Sequence, residues 1–463
     1  MDVTETTLDA LVDTLYGIVG PAGILRGDDL RARHAGKAQH ARVLVRPAST
    51  AEVSAILAAC HAAGIAVVPQ GGLTGLVHGA ESRADEVILS LERMNRMQPV
   101  DVTQRVLVAE AGVILEQAQD AAAEAGLLFP VDLGARGSAT LGGMVATNAG
   151  GNGVIRYGMM RANLLGLEAV LADGTVIDAT NQLVKNNSGY DLKHLFIGSE
   201  GTLGVVTRVV LSLSEAPTSR CTALLALPEF DAVSPLLRRL DQMLEGTLGA
   251  FEVMWQDFYH SVTIAPAPHR PPLPHGHALY VLVEASSCAA GRDEHFAEVL
   301  ASTLEDGLAM DAVIASNERE RESLWALRDD VAQLRRFGPL AAYDISLRLA
   351  DTGDYVEGVR AAIQARWPTA RLWAFGHLGD GNVHVAVLVP DLDAASRSEL
   401  DRLVYGPLRA LHGAVSAEHG IGIEKKPWLG QSRTPAEIAL MRTLKRSLDP
   451  RNVLNPGRVF DLH

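Results

Sequence analysis

The segment Gly137–Gly158, which reads GSATLGGMVATNAGGNGVIRYG, decides the fold of this 463-residue chain. It has many glycines and few charges, so its backbone can pass close to another molecule. A flexible linker would also be rich in glycine, but it would not carry apolar residues such as Leu141, Met144 and Ile155. The segment therefore predicts backbone that wraps closely around a large ligand.

A second glycine-rich loop, PQGGLTGL at Pro69–Leu76, follows a predicted short strand, Ile65–Val68. Glycines after a strand favour phosphate binding, because bare backbone N–H groups can approach an anion closely. Gln70 stands where a G-x-G-x-x-G fingerprint needs its first glycine, and no Gly-Lys-Ser/Thr follows. A Rossmann nicotinamide site is therefore not supported, and a plain turn stays an alternative for this loop taken alone.

The stretch FGHLGDGNVH at Phe375–His384 predicts a hairpin, because its centre consists of turn-forming residues between two apolar runs. The reversal would bring His377 and His384 together. Glu418, in SAEHGIG, is the best third ligand, and two histidines with one carboxylate leave coordination positions open, as in catalytic zinc sites. The alternative is a pair of hydrogen-bonded turn histidines.

The composition argues against several kinds of partner and several locations. A formal net charge of −14 argues against nucleic acid and anionic membranes as partners. The three cysteines form no CxxC pair, which indicates a reducing compartment, and the acidic N-terminus has neither signal-peptide nor transit-peptide character. No apolar run reaches about 18 residues, so we expect no membrane span and a cytoplasmic protein.

Strand and helix patterns alternate as βαββαβ after Pro217, which predicts a ferredoxin-like α+β arrangement.

These motifs, with IGSEGTLGVVT at 197–207, resemble the vanillyl-alcohol oxidase/p-cresol methylhydroxylase flavoprotein superfamily. GHLGDGNVH and SAEHGIG resemble its D-2-hydroxy-acid dehydrogenase branch, and the resemblance spans roughly residues 38–460. It implies an α+β fold with a two-part FAD-binding domain at residues 1–216 (core 38–216) and a ferredoxin-like cap, or substrate, domain with the metal site at residues 217–420. It also implies that the C-terminal segment, residues 421–463, returns to the FAD-binding domain. It also implies non-covalent FAD, because Leu73 stands where members with a tethered flavin have histidine.

The resemblance assigns roles residue by residue. His419 would be the catalytic base, while Arg328, Tyr343 and Asn382 would contact substrate. A divalent metal, expected to be zinc, would bind His377, His384 and Glu418. FAD would contact Pro69, Gly71, Gly72, Leu73, Thr74, Gly75, Leu76, Asp132, Leu133, Ser138, Gly142, Gly143, Thr147, Asn148, Gly150, Tyr157, Glu200, Gly201, Val205 and Asn455.

The implied reaction oxidises a D-2-hydroxy acid to the 2-oxo acid. The metal would acidify the C2 hydroxyl, His419 would accept its proton, and hydride would pass to flavin N5. An electron-transfer flavoprotein, a quinone or a cytochrome would take the electrons, and a homodimer is a candidate assembly. A metal hydrolase and a non-catalytic flavin-binding protein are the alternatives.

Three positions depart from the 2-hydroxyglutarate enzymes, which have Thr, Lys and Asn where this chain has Ala332, Ala342 and Ala386. The substrate pocket should therefore be roomier and less polar here. This predicts D-lactate or a more apolar D-2-hydroxy acid as substrate. D-2-hydroxyglutarate is the alternative, because a nearby arginine could compensate for the lost polar groups.

Overall fold

The computed structural model describes residues 5–34, 39–289 and 291–462. Ala38, the predicted start of the flavin-domain core, lies outside them. The chain divides into two compact units. The first consists of Met1–Gly151, Met159–Glu215 and Glu418–His463, and the second of Asn152–Gly158 and Ala216–Ala417.

The first unit contains a sheet of order β1-β2-β4-β3, an antiparallel sheet of order β5-β9-β7-β8, and the pair β10-β6. Strands β2, β4 and β3 run parallel, and β1 is antiparallel to β2. The strands are β1 (Ile24–Arg26), β2 (Val43–Val45), β3 (Val67–Gln70), β4 (Val87–Ser90), β5 (Val106–Glu110), β6 (Leu127–Leu128), β7 (Leu164–Val170), β8 (Val176–Ala179), β9 (Val205–Ser212) and β10 (Ser214–Glu215).

The helices of the first unit pack an apolar core that includes Ile56, Leu89 and Leu141. They are α1 (Glu5–Val19), α2 (Gly27–His34), α3 (Thr50–Ala63), α4 (Leu115–Glu124), α5 (Leu141–Thr147), α7 (Lys193–Phe196), α14 (Leu429–Ser432) and α15 (Pro435–Leu448). Strand β3 begins two residues later than the sequence predicts. The cause is the helix end: Gly64 is left-handed, and Ile65 N–H still bonds to Cys60 O of α3.

The C-terminal segment completes the first unit. Val67 of β3 pairs in parallel with Leu454, with Val67 N–H donating to Val453 O and Asn455 N–H donating to Val67 O. The edge of the sheet beside β3 is thus covered by residues that lie almost 390 positions further along the chain.

The second unit is organised around one antiparallel sheet of order β14-β11-β13-β12-β16-β17-β15. The part β14-β11-β13-β12 is the 4-1-3-2 order of the predicted ferredoxin-like arrangement. Its elements are α6 (Val154–Tyr157), β11 (Ser219–Leu227), α8 (Val233–Met243), β12 (Leu248–Trp255), α9 (Gln256–Thr263), β13 (Leu279–Ser287), α10 (Arg292–Glu305), β14 (Asp311–Ile314), α11 (Glu318–Asp329), β15 (Ala341–Ser346), α12 (Leu349–Arg366), β16 (Arg371–His377), β17 (Asn382–Leu388) and α13 (Ala394–Tyr405).

Strand β16 extends this sheet by pairing with β12, so the predicted metal hairpin is part of the sheet rather than an appendage. On one face, α9 and α11 bury an apolar cluster that contains Phe258, Leu327 and Phe375. The same face also carries the polar residues Glu252 of β12, Glu284 of β13 and His377 of β16. None of the helices in the described ranges is both long and apolar enough to cross a membrane.

Candidate active site

Two glycines bring the loop after β3 against the start of α5 within the first unit. A Cβ at Gly71 would lie 2.2 Å from Thr140 Oγ1, and one at Gly72 would lie 1.8 Å from Ser138 O. A side chain at Gly71 would meet the Thr140 side chain, and one at Gly72 would meet the Ser138 backbone. Backbone N–H groups of such glycine-rich loops can approach a phosphate-bearing ligand closely.

Two buried polar atoms lie near these loops: one belongs to Thr140, and the other to Asn455, whose side chain contacts Gly79 and Glu200. We call the pair of loops that meet at Gly71 and Gly72 the flavin cradle. Within the described residues, Thr140 Oγ1 and Asn455 Oδ1 have no hydrogen-bond partner. The amide group of Asn455 is held in place, since Nδ2 donates to Glu200 O at 2.8 Å and to Gly79 O at 3.2 Å. Buried polar atoms in native proteins nearly always have partners, so these oxygens favour a bound polar ligand. The residues therefore fit FAD.

Other predicted flavin residues have structural partners. Asn148 ends α5 in the left-handed region, and its Oδ1 accepts a bond from Arg161 N–H at 3.0 Å. Thr147 Oγ1 donates to Gly143 O at 3.0 Å. Tyr157 belongs to the second unit, where Arg156 lies 5.0 Å from its ring centroid.

Glu200 fixes the loop that follows His419. Its carboxylate accepts hydrogen bonds from Ile421 N–H at 2.7 Å and from Gly422 N–H at 2.8 Å. Burial raises the pKa of Glu200, and these two bonds and the charge of Lys425 oppose that rise. These two hydrogen bonds to a buried carboxyl group keep the loop in one conformation.

The SAEHGIG loop bends at its glycines. Gly420 and Gly422 have φ values of +84° and +51°, and a Cβ at Gly422 would lie 2.0 Å from Val77 O. Glu418 is held by the flavin-loop backbone, because Gly151 N–H donates to its Oε1 at 2.8 Å.

In the second unit, strands β16 and β17 form the predicted hairpin. The ring centroids of His377 and His384 are 5.4 Å apart, so the reversal brings the two imidazoles together. The turn needs its glycines: a Cβ at Gly379 would lie 2.6 Å from Ile155 Cδ1, and one at Gly381 would lie 2.5 Å from Leu347 O.

His377 is fixed by a buried carboxylate that the sequence analysis does not identify. Glu252 Oε1 lies 2.6 Å from His377 Nδ1, and Glu252 Oε2 lies 2.7 Å from Arg328 Nε. Burial opposes ionisation, but His377 and Arg328 together lower the pKa of Glu252 to about 2. An ionised carboxylate can only accept, so His377 carries its proton on Nδ1. Nε2, 3.3 Å from Arg328 Nη2, is then the atom with the lone pair.

His384 also has a buried carboxylate beside it. Asp344 Oδ1 lies 3.9 Å from His384 Nδ1, and the same oxygen accepts a bond from Asn382 Nδ2 at 2.8 Å. Ser416 Oγ donates to Asp344 Oδ2 at 3.2 Å. Asn382, predicted to contact substrate, therefore uses its amide nitrogen to orient Asp344. Its buried Oδ1 has no partner within the described residues.

Tyr343 lies on the other face of the sheet from His384. It pairs with Val385, whereas Asp344 pairs with His384, and successive strand residues face opposite ways. Its hydroxyl donates to Asp401 of α13 at 2.7 Å, and burial raises its pKa. The substrate role predicted for Tyr343 has no support in this geometry.

Two protein families match this chain, one in each part of the sequence. The family described as "FAD linked oxidases, C-terminal domain" matches residues 216–459, and the one described as "FAD binding domain" matches residues 41–180. The mitochondrial D-2-hydroxyglutarate dehydrogenase of Bos taurus is 42% identical over 91% of this chain and 77% of the relative. This chain belongs to the FAD-linked D-2-hydroxy-acid dehydrogenases.

Other similarities support the family and the fold of this dehydrogenase. The D-2-hydroxyglutarate dehydrogenase of Xanthomonas citri pv. viticola is 39% identical over 90% of this chain and 89% of the relative. A solved structure of p-cresol methylhydroxylase with substrate bound matches with a TM-score of 0.78. It is 16% identical and covers 100% of this chain and 98% of the other. The predicted flavoprotein fold is confirmed, and the assignment favours an oxidoreductase on CH–OH donors over a hydrolase or a non-catalytic flavin carrier.

Three residues that contact the predicted metal ligands were not predicted from the sequence: Glu252, Asp344 and Gly151. Glu252 and Asp344 are single acids in otherwise apolar strands, AFEVMW and AAYDIS, and such isolated charges are the signal that could have found them. Gly151 is one of several adjacent glycines, and only the structure shows that a Cβ there would lie 1.9 Å from Asp132 O.

Proposed function

We propose that this dehydrogenase oxidises a D-2-hydroxy acid with the help of a divalent cation, expected to be zinc. His377, His384 and Glu418 would be its ligands. The observation that carries the proposal is the pair of imidazoles on the β16–β17 hairpin. A buried carboxylate oxygen lies within hydrogen-bond distance of His377 Nδ1, at 2.6 Å, and another lies 3.9 Å from His384 Nδ1. Metal-ligating histidines almost always have such a partner for the second ring nitrogen.

When bound, FAD supplies the hydride acceptor and the divalent cation supplies a Lewis acid for the C2 hydroxyl. The chain's own residues bind, orient and deprotonate the substrate. Arg328 would bind its carboxylate, because a guanidinium matches a carboxylate with paired N–H donors. His419 would accept the hydroxyl proton, since histidine is the side chain that most often serves as a general base in enzymes.

For the substrate, we propose a monocarboxylate such as D-lactate, or a D-2-hydroxy acid with an apolar side chain. Ala342 and Ala386 are a directly opposed cross-strand pair on β15 and β17. Ala386 follows His384 by two residues on β17, and Ala342 precedes Asp344, the residue opposite His384, by two residues on β15. Both alanines therefore lie on the same face as His384. Two alanines side by side provide space and no hydrogen-bond donor for a second carboxylate.

D-2-hydroxyglutarate is the second candidate substrate, because the named relatives that share about 40% of their residues with this chain are D-2-hydroxyglutarate dehydrogenases. Arg335 and Arg336, at the end of the 3₁₀ helix that follows α11, are exposed. Either arginine is a candidate to pair with the distal carboxylate in place of the missing lysine.

The electron acceptor, the assembly and the location stay predictions of the sequence. We propose an electron-transfer flavoprotein, a quinone or a cytochrome as acceptor, a homodimer as assembly and the cytoplasm as compartment. Anaerobic incubation without any acceptor isolates the first half-reaction from these questions.

The deciding experiment mixes the purified, FAD-loaded protein anaerobically with D- and L-2-hydroxy acids and records the visible flavin spectrum. We expect bleaching by a D-2-hydroxy acid, formation of one equivalent of 2-oxo acid, and loss of the reaction after chelation of the metal. Full bleaching after metal removal, confirmed by metal analysis, would contradict the metal role. An absence of bleaching by every D-2-hydroxy acid would contradict the proposed substrate class.

A further inference from the structure

Two arginines of helix α11 form ion pairs with two acidic residues of the sheet. Arg328 Nε bonds to Glu252 Oε2 at 2.7 Å, and seven residues earlier Arg321 Nε bonds to Glu284 Oε2 at 2.7 Å. Residues seven apart share one helix face. Glu252 and Glu284 lie on neighbouring strands, β12 and β13, and on the same face of the sheet. The two ion pairs are alike in chemistry but differ in what else the acid touches.

Glu284 has only structural neighbours among the contacts of this face. It also accepts bonds from Trp325 Nε1 at 2.8 Å and from Thr222 Oγ1 at 2.7 Å. Glu252, with 1% of its surface exposed, instead uses its second oxygen for His377 Nδ1 at 2.6 Å. Glu252 thus links the residue expected to bind metal to the residue expected to bind the substrate carboxylate.

We propose that Glu252 is the positioning residue for both His377 and Arg328; this inference rests on the proposed function. By accepting the Nδ1 proton, Glu252 leaves His377 with its lone pair on Nε2. By accepting from Arg328 Nε, it anchors one side of the guanidinium and leaves the terminal nitrogens for substrate.

Glu252 would also offset the positive charges that lie near His377. A divalent cation on His377 Nε2 and the guanidinium of Arg328 would be like charges near one imidazole. They would also compete for the same lone pair, since Arg328 Nη2 lies 3.3 Å from Nε2. A carboxylate bonded to both partners offsets the repulsion, and it retains Arg328 after the cation has taken Nε2.

The test compares Glu252→Gln with Glu284→Gln, each as the FAD-loaded full chain. The control removes a second buried acid of the same sheet, which pairs with an arginine of the same helix. The first readout is Zn²⁺ affinity by competition with a chromophoric chelator, which needs no turnover. We expect E252Q to lose about 10–100-fold in Zn²⁺ affinity, as is typical when the partner of a ligating histidine is lost, and E284Q to match the wild type.

The second readout is the split between KM and kcat at saturating Zn²⁺. E252Q should raise KM for the 2-hydroxy acid relative to E284Q, because Arg328 loses its anchor. If wild type and E252Q bind Zn²⁺ equally and have equal KM, the positioning role is wrong while the proposed function stands. If the wild-type protein binds no Zn²⁺, the proposed metal role itself fails, and the inference fails with it.

A measurement on the unmodified protein covers the case in which E252Q does not fold. ¹⁵N-histidine NMR of the Zn²⁺-depleted wild type distinguishes the two neutral tautomers, and a His377→Gln variant identifies the His377 signals. We expect the proton on Nδ1. A His377 ring protonated on Nε2, with Nδ1 unprotonated, would overturn the proposal whatever the variants do.

Discussion

The backbone N–H of Gly151 donates a hydrogen bond to Glu418 Oε1 across 2.8 Å. Gly151, in the glycine-rich segment Gly137–Gly158, therefore orients the acid that we propose as a metal ligand. Gly151 has a φ of +118°, and a Cβ there would lie 1.9 Å from Asp132 O. No other residue type fits this position without displacing the loop.

Gly151→Ala should therefore destabilise the protein and lower its flavin content. The unfavourable φ alone costs more than about 1 kcal/mol of unfolding free energy, and the clash with Asp132 adds to it. Gly134→Ala is the matched control, because nothing lies within 4 Å of its Cβ position and its φ is not positive. Thermal unfolding and FAD occupancy measure both variants, and equal behaviour would contradict the argument.

His377→Ala, His384→Ala and Glu418→Ala should each abolish dehydrogenase activity while the visible flavin spectrum is kept. The flavin cradle at Gly71 and Gly72 uses none of these three side chains. Metal analysis and flavin absorbance after purification give the two readouts. Loss of the flavin together with the metal would show that these residues act through folding.

His419→Ala should keep the metal and lose the proton acceptor. Removal of a positioned general base typically slows the chemical step by about 10²–10⁴-fold. Anaerobic single-turnover mixing measures flavin reduction directly and excludes effects of the electron acceptor. An unchanged rate of reduction would mean that another group takes the proton.

Ala332, Ala342 and Ala386 predict which D-2-hydroxy acid the enzyme prefers. D-lactate or a more apolar D-2-hydroxy acid should have a higher kcat/KM than D-2-hydroxyglutarate. An unpaired buried carboxylate costs about 3–5 kcal/mol, or roughly 10²–10³-fold. The triple variant A332T/A342K/A386N should shift the ratio towards D-2-hydroxyglutarate. A wild-type enzyme that prefers D-2-hydroxyglutarate would refute the prediction.

FAD should leave the polypeptide when the protein is denatured. Leu73 occupies the position of a possible histidine tether. His78 is half-exposed, and its Nδ1 lies 2.6 Å from Glu81 Oε1. Precipitation with acid followed by absorbance of the supernatant measures the release. Yellow colour that stays with the washed precipitate would show a covalent bond.

Local patterns predicted the parts of this protein that local sequence encodes. The hairpin between His377 and His384 follows from turn residues between two strands, and the bend at Gly420 follows from its glycine. The extension of the cap sheet does not, because β12 and β16 pair across more than 120 residues and nothing local marks that register. Glu252 became part of the site only through this pairing, which sets it opposite His377.

The substrate role of Tyr343 stays a prediction, and the face on which its side chain lies does not support it. The prediction came from the family motif, whereas strand alternation alone puts Tyr343 and Asp344 on opposite faces. Once Asp344 is opposite His384, Tyr343 must face α13. Alternation was available from the sequence, but the choice of face required knowing which strand lies beside β15.

The pairing of β3 with residues 453–455 also determines when the first unit can be completed during synthesis. Its sheet edge at Val67 is closed by Leu454, and Asn455 ties the turns at Gly79 and Glu200. Translation proceeds from the N-terminus, so the ribosome must make all of residues 216–417 before these partners exist. The cap can therefore fold first, and the flavin-binding unit, although it begins the chain, is the last to close.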